Sequence, residues 1–247
     1  MTQPIVALWT HPRSISTAFE RVMMERGDFN ILHEPFSYLY YVHKQASAID
    51  QEYKDPNHPT TYPEIKEHIL KQGESSPVFF KDMCAHCFEE LINDDELLSR
   101  LVNTFLIRHP DKAIPSFYAM NNQVKLDEIG YEQLIKVFQK SFDLNGNPPV
   151  VVDATDLEDN PEGIMKAYCK AINIKFIPEA LSWDSGHKKE WDIWEKWHSD
   201  AAKSCGIQKN MEKFEVTIEN SKHLKSYYDY HIEFYDNVYA HRIKAID

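Results

Sequence analysis

Glycine is scarce in this chain, which holds seven among 247 residues, and the first of them is Gly27. The glycine-rich phosphate loop GxxxxGK(S/T) is absent, and so is the dinucleotide fingerprint GxGxxG. Both motifs need glycine where the backbone must approach a phosphate closely. Their absence disfavours an ordinary ATP- or GTP-hydrolysing P-loop and a Rossmann dinucleotide site.

Three further shortages narrow the class of protein. Four cysteines are too few for a disulfide scaffold at this length, which predicts a reducing, cytoplasmic setting. No apolar run reaches about 18 residues, and no basic segment followed by a long apolar stretch opens the chain, so we expect neither a membrane span nor a signal peptide. The net charge of −12 argues against a general nucleic-acid binder.

Short apolar runs alternate with helical patterns over the first part of the chain, which predicts βαβ units and a parallel sheet. The runs do not alternate in polarity and suit strands that are buried on both faces. The predicted strands are 5–9, 30–32, 78–80, 104–107 and 150–152, and the predicted helices are 15–26, 63–71, 88–100, 111–121 and 131–142. We expect a single α/β domain over 1–247, with a central sheet of about five strands flanked by helices.

The C-terminal part reads mainly helical. Asn160 is a predicted N-cap with Pro161 at the first helical position, and residues 226–243 form an amphipathic pattern. Charged residues, proline, asparagine and serine mark 50–76 and 182–222 as predicted mobile loops.

The stretch HPRSIST, residues 11–17, lies between the first predicted strand and the first predicted helix. In a parallel α/β sheet ligands bind at the carboxyl ends of the strands, and a helix N-terminus favours an anion. Hydroxyl groups and the arginine add donors for phosphate or sulfate. The alternative is that Ser14 or Ser16 only caps the helix and that Arg13 is a surface charge.

Four motifs together resemble the P-loop sulfotransferases, which transfer a sulfuryl group from 3′-phosphoadenosine 5′-phosphosulfate (PAPS). PRSIST, residues 12–17, is similar to the family's PRSGST or PRTGST loop. FLIRHPDKAIPSFYAM, residues 105–120, resembles its strand–loop–helix that binds the 3′-phosphate. LHEPF at 32–36 and the segment 150–172 match the ends of two further strands. The resemblance implies a three-layer P-loop-type fold.

The resemblance also implies the donor-binding residues. Arg13 would neutralise charge on the bridging oxygen, and Arg108 with Ser116 would bind the 3′-phosphate. The 5′-phosphosulfate would lie against the loop residues Ser14, Ile15, Ser16, Thr17 and Ala18. PAPS would be a co-substrate that leaves as 3′,5′-ADP, and no metal is expected.

This chain departs from the family pattern at several positions. Ile15 replaces the usual glycine, so a positive φ is not expected there and the loop is expected to have a different shape. Ala18 stands where the cytosolic branch has an adenine-stacking tryptophan. His109 and Asp111 replace the usual residues after the 3′-phosphate arginine.

An acceptor hydroxyl needs a general base, and three residues are candidates. Glu34 matches the family branch that uses a glutamate, and we favour it ahead of His86 and then His33. Glu34 and His33 are neighbours on a strand and face opposite ways, so we do not expect both at the site. Lys81 is a candidate to bridge donor and acceptor.

The acceptor itself is left open as an alcohol, a phenol or an amine of a small molecule. Two rival functions also remain, a nucleotide or small-molecule kinase and a non-catalytic nucleotide-binding relative. The missing P-loop lysine and the lack of a clear magnesium-binding carboxylate count against the kinase.

Other features favour structural interpretations. CAHC, residues 84–87, lacks the second ligand pair of a zinc site. Trp191, Trp194 and Trp197 have helical spacing and suit a core. SYLYY, residues 37–41, suits an acceptor pocket or packing on the sheet. Lys203, Ser204 and Lys209 suit a solvated loop, and the alternative that the resemblance implies is a late loop over the 3′-phosphate.

Overall fold

A five-stranded parallel sheet forms the centre of the molecule in the computed structural model, which describes residues 3–46, 55–194, 201–209 and 213–247. The strand order is β2-β3-β1-β4-β5, and every pairing is parallel. The strands are β1 (Ile5–Thr10), β2 (Asn30–His33), β3 (Val78–Met83), β4 (Val102–Ile107) and β5 (Val150–Asp153). Each predicted strand lies inside an observed one, so the predicted α/β fold class is confirmed.

Helices cover both faces of this sheet. They are α1 (Ser16–Arg26), α2 (Tyr62–Ser75), α3 (Cys84–Leu91), α4 (Asp95–Arg100), α5 (Pro110–Met120), α6 (Tyr131–Asn145), α7 (Ala154–Asp159), α8 (Pro161–Ala171) and α9 (Lys222–Tyr239). A π-helical turn spans Tyr38–His43, and 3-10 turns span Asp127–Ile129, Pro178–Leu181 and Lys189–Trp194.

Two hydrophobic cores explain why the strand sequences do not alternate in polarity. Ala7 and Trp9 of β1 pack in one core with residues of α2 to α6 and α9. Val6 and Leu8, which point the other way, pack in the second core with residues of α1, α7 and α8. Because both faces of the sheet are covered, apolar residues are required at successive positions.

Two of the predicted elements differ from the structure. The helix predicted over 88–100 is two helices, because the carboxylate of Asp94 accepts a hydrogen bond from Leu97 N at 2.9 Å and starts α4. The loop predicted over 50–76 contains α2, whose start at Thr61 forms a capping box with Glu64. Asn160 does cap α8 as predicted, since its side chain accepts from Gly163 N.

The strand order reverses between β1 and β4. The chain runs from β1 towards β2 on one side, and from β4 towards β5 on the other. The crevice outside the carboxyl ends of two such strands is the usual ligand site of an open α/β sheet. The turns that follow β1 and β4, with Arg13 and Arg108, lie at this position.

Candidate active site

The turn from β1 into α1 has an unusual backbone. Arg13 and Ile15 both lie in the left-handed region, with φ of 64° and 62°. The expectation that Ile15 would avoid a positive φ is therefore wrong. A β-branched residue is strained in this conformation, so the surrounding contacts must hold the loop in a shape that glycine would adopt more easily.

The hydroxyl group of Ser14 is the most telling feature of this turn. Its side chain is fully buried, and within the described residues its Oγ has no hydrogen-bond partner. Ile15 is the N-cap residue of α1, and among those same residues no side chain caps this end. The interpretation of the serines as mere helix caps is thus contradicted. Ser14 thus presents a buried, unsatisfied hydroxyl group directly before the N-terminus of α1, where the helix dipole favours an anion.

Arg13, Arg108 and Ser116 come together between the turns after β1 and β4. Arg13 Nε donates to Ser116 Oγ at 2.9 Å, and Arg108 Nη1 donates to Arg13 O at 3.1 Å. Arg108 Nη2 lies 3.8 Å from Glu158 Oε1. Arg108 is 5% exposed, and its Nε has no partner among the described residues. The Arg108 guanidinium therefore binds the backbone of the loop that carries Arg13, directly before α1, and both arginines line one cavity, an arrangement that favours an anion.

His11, which the sequence interpretation did not single out as a site residue, joins these two turns. Its Nε2 accepts a hydrogen bond from Arg108 N at 3.0 Å, and its Nδ1 lies 2.9 Å from Pro12 O. Burial lowers the pKa of His11 to about 3, so the ring is neutral. A neutral ring that accepts at Nε2 carries its proton on Nδ1 and donates it to Pro12 O.

Glu34 and Lys81 form an ion pair across from the arginines. Glu34 Oε1 lies 2.5 Å from Lys81 Nζ, and the side chains are 5% and 1% exposed. Glu34 has a φ of 42°, another left-handed conformation, directly after the end of β2. Its backbone N–H donates to Lys81 O at 3.0 Å. The two contacts with Lys81, one through the backbone and one through the side chain, hold Glu34 at the carboxyl edge of the sheet in this strained conformation.

His86 lies beside this pair on α3 and is oriented by Asp82. Its Nδ1 is 2.7 Å from Asp82 Oδ1. Asp82 also accepts hydrogen bonds from Phe36 N at 2.6 Å and Met83 N at 2.8 Å. Burial raises the pKa of Asp82, and the hydrogen bond from His86 opposes that rise. With Nδ1 turned to Asp82, a neutral His86 has Nε2 as its proton acceptor.

His33 lies elsewhere. Its Nδ1 contacts Glu20 Oε2 at 2.7 Å, and Trp191 Nε1 donates to the same oxygen at 3.0 Å. Glu20 belongs to α1, on the face of the sheet that carries the second core. The structure thus separates His33 from Glu34, as the opposite orientation of neighbouring strand residues led us to expect.

A cavity of about 710 Å³ joins the two groups of residues. Among the residues in its wall are most of the predicted site residues, namely Arg13, Ser14, Ile15, Ser16, Thr17, Ala18, Glu34, Lys81, His86 and Arg108. Ser116 contacts the site through Arg13. Tyr40, Tyr41 and the late residues Ser204 and Lys209 also line the cavity, whereas Lys203 is exposed elsewhere.

The other sequence features have structural roles. Cys84 and Cys87 are buried, and burial raises the pKa of each thiol well above its usual value. In the part of the chain that the structure describes, histidine, cysteine and carboxylate side chains form no group of three suited to a metal. Trp191 is fully buried, while Trp197 and the side chain of Trp194 lie outside the described residues.

The family model of the sulfotransferase domain matches residues 4–230. This chain therefore belongs to the sulfotransferase domain family, and the resemblance drawn from the motifs is confirmed. Over the described residues, no helix is both long enough and apolar enough to cross a bilayer.

Two curated relatives come from Arabidopsis thaliana. The branched-chain-amino-acid aminotransferase-like protein 2 is 27% identical over 210 residues, which cover 82% of this chain and 36% of the relative. The aminotransferase-like protein 1 is 28% identical over 211 residues, which cover 80% and 35%. The chain thus spans about a third of the length of the curated relatives it matches.

Two solved structures match most of this chain at 14% sequence identity. One is a sulfotransferase domain from the Synechococcus PCC 7002 olefin synthase, with a TM-score of 0.46, covering 93% of this chain and 95% of that one. The other is a sulfotransferase domain from the curacin biosynthetic pathway, with a TM-score of 0.47, covering 93% and 98%.

Proposed function

We propose that this domain transfers a sulfuryl group from PAPS to a hydroxyl or amine of a small molecule. The observation that carries the proposal is the cavity between two unlike walls. Arg13, Arg108 and the unsatisfied Ser14 hydroxyl form one wall, and the Glu34–Lys81 pair with His86 forms the other. An anion-binding wall facing a proton-accepting wall is what in-line group transfer requires.

The wall formed by Arg13, Arg108 and Ser14, which we call the donor wall, fits a ligand with two phosphate-type groups. Ser14 Oγ and Arg108 Nε are both buried donors without a partner among the described residues, and such groups are costly unless a ligand satisfies them. They belong to the two turns that the resemblance assigns to the 5′-phosphosulfate and the 3′-phosphate. Arg13, hydrogen-bonded to Ser116 between those turns, is placed to stabilise negative charge on the departing oxygen.

The wall formed by Glu34, Lys81 and His86 is called the acceptor wall. Within it we assign the proton transfer to Glu34. The acceptor oxygen or nitrogen forms its bond to sulfur while the bond from sulfur to the 5′-phosphate oxygen breaks, and the acceptor proton passes to the carboxylate. Lys81 compensates the charge of Glu34 in the same wall of the cavity. His86 is the alternative base, favoured by its contact with Asp82, which orients its ring as an acceptor at Nε2.

A ligand panel tests the function. Thermal unfolding and calorimetry of the purified chain are compared with 3′,5′-ADP, 5′-AMP and ATP with Mg²⁺. Stabilisation by 3′,5′-ADP alone, followed by transfer of labelled sulfuryl from PAPS to a mixture of small alcohols, phenols and amines, supports the sulfotransferase. Stabilisation by ATP with Mg²⁺ instead would favour the kinase. Tight 3′,5′-ADP binding without transfer to any acceptor would favour the non-catalytic relative.

A further inference from the structure

The short helix α7 brings a carboxylate to the donor wall of the cavity. Asp153 caps the start of α7, where its side chain accepts hydrogen bonds from Thr155 N at 2.9 Å and Asp156 N at 3.1 Å. Leu157 is fully buried in the second core. These contacts fix the helix against the sheet, and Glu158, the next residue, lines the cavity with a side chain that is 8% exposed.

Glu158 lies beside the part of Arg108 that suits a phosphate. The Nε and Nη2 groups of an arginine lie on one edge of its planar guanidinium group, and this edge can donate two parallel hydrogen bonds to an anion. Arg108 Nη1 donates to Arg13 O, Nε has no partner among the described residues, and Nη2 lies 3.8 Å from Glu158 Oε1. This distance is too long for a hydrogen bond, but two charges interact strongly across it.

A carboxylate at this position has two opposite effects. It compensates the charge of Arg108, whose side chain is only 6% exposed, and so stabilises the protein when no anion is bound. It also repels a phosphate that approaches the same guanidinium group, because like charges interact strongly where water is largely excluded. Phosphate binding therefore exchanges one ion pair of Arg108 for another.

We propose that Glu158 competes with the 3′-phosphate of the nucleotide for the Nε–Nη2 edge of Arg108, and so favours the release of 3′,5′-ADP after transfer. The assignment of the 3′-phosphate to Arg108 rests on the proposed function. Glu158 is thereby a specificity-determining residue that weakens binding of the nucleotide. Moderate affinity for the product favours turnover, because a product that dissociates slowly limits the rate.

Glu158→Gln tests this competition, because it removes the charge and keeps the size of the side chain. We expect the affinity for 3′,5′-ADP, measured by calorimetry, to rise by about five- to tenfold, while the affinity for 5′-AMP changes by less than about twofold. The dissociation rate of 3′,5′-ADP should fall by a similar factor. Without ligand, the variant should unfold at a lower temperature than the parent, because Arg108 loses its counter-ion. Structural damage to the site would instead lower the affinity for both nucleotides.

Asp159→Asn is the matched control. Asp159 is the next residue of α7, lies 2.5 Å from Lys209 Nζ, is exposed and is not part of the cavity wall. The same loss of charge at Asp159 should therefore change the affinity for 3′,5′-ADP by less than about twofold. In a second control, the gain from Glu158→Gln should disappear when it is combined with Arg108→Ala, because the competition acts through that guanidinium group.

The outcomes separate this inference from the proposed function. Equal gains from Asp159→Asn and Glu158→Gln would reduce the effect to long-range charge and overturn the inference. Weaker binding of both nucleotides by Glu158→Gln would also overturn it, and would favour a carboxylate that binds a ribose hydroxyl. A gain in affinity without any transfer from PAPS would support the inference and count against the proposed function. Transfer without a gain would overturn the inference alone, and undetectable binding of both nucleotides to the parent and every variant would overturn both.

Discussion

The imidazole of His11 accepts a hydrogen bond from the backbone N–H of Arg108 at 3.0 Å, and this contact joins the two halves of the donor wall. The same ring donates to Pro12 O at the start of the loop after β1. Tyr131 covers the ring, with centroids 4.0 Å apart, and its hydroxyl donates to Arg108 O. A neutral, buried imidazole thus sets the position of one arginine relative to the loop of the other.

Replacing His11 should therefore weaken donor binding without touching the ligand directly. His11→Phe keeps the ring volume but loses both hydrogen bonds, and we expect about a five- to tenfold loss of 3′,5′-ADP affinity, the equivalent of one good hydrogen bond. His11→Gln retains a donor and an acceptor and should recover part of that loss. Calorimetry on both variants checks this. If the His11→Phe and His11→Gln variants bind 3′,5′-ADP equally well, the hydrogen bonds of His11 do not position Arg108.

His11 should also make folding sensitive to acid. Its pKa falls from 6.5 to about 3 on burial, so the unfolded chain binds an extra proton between these values. The contribution of His11 to the free energy of unfolding is fully present above about pH 6.5. It is lost as the pH falls towards 3, by up to about 1.4 kcal/mol per pH unit. In urea unfolding, the free energy of unfolding of His11→Gln should fall less steeply with decreasing pH than that of the parent. His223→Gln, at an exposed histidine, is the control, and curves for His11→Gln parallel to the parent would contradict the assignment.

Arg108 should decide whether the protein distinguishes ligands by their 3′-phosphate. Arg108→Ala removes a charged contact and should cost about 2–3 kcal/mol of binding to 3′,5′-ADP, while affinity for 5′-AMP barely changes. A general loss of order in the site lowers the affinity for both nucleotides, and this effect cancels in the ratio of the two affinities. Arg108→Lys keeps the charge but not the planar guanidinium group, so its affinity for 3′,5′-ADP should lie between those of the parent and Arg108→Ala. Equal losses for both nucleotides would count against the role.

The general base can be identified by single-turnover sulfuryl transfer. Glu34→Gln keeps the shape of the side chain but cannot take a proton, and we expect a rate loss of about 10²–10⁴. His86→Ala should lower the rate much less at equal folded concentration. A larger rate loss for His86→Ala than for Glu34→Gln would identify His86 as the general base. A Glu34→Gln rate within about threefold of the parent would remove Glu34 from the mechanism.

Glu34→Gln needs a stability control, because Lys81 is 1% exposed and loses its buried counter-ion. An unpaired buried charge costs about 3–5 kcal/mol. The double substitution Glu34→Gln with Lys81→Met removes that charge and should recover much of the stability without recovering the rate. Recovery of both would show that the single variant failed by misfolding.

The strain at Ile15 can be measured by comparing two truncations of its side chain. Ile15→Gly and Ile15→Ala lose similar packing, but alanine keeps the penalty of a positive φ. We expect the glycine variant to be more stable than the alanine variant by about 1 kcal/mol, the reverse of the usual order in a helix. Chemical denaturation of both proteins gives the difference. A more stable alanine variant would show that the loop does not hold residue 15 in this conformation.

Most of the architecture could be predicted from local patterns. Successive apolar residues in β1, the polar turn after it and the N-cap at Asn160 are local signals, and each appears where the sequence placed it. The break at Asp94 was missed because the apolar periodicity continues through it, although a capping aspartate was present in the sequence. The motif order also predicted which turns carry Arg13 and Arg108, since parallel strands bring their carboxyl ends to one edge.

By itself, the sequence determined the α/β class, the edge of the sheet that carries the candidate site and the family to which the chain belongs. Only the tertiary structure decided how the candidates divide between faces: Glu34 meets Lys81 in the cavity, while His33 meets Glu20 on the other side. It also decided the positive φ at Ile15 and the role of His11 as a link. Local propensity favours neither, and the contact that gives His11 its role joins residues 97 positions apart in the chain.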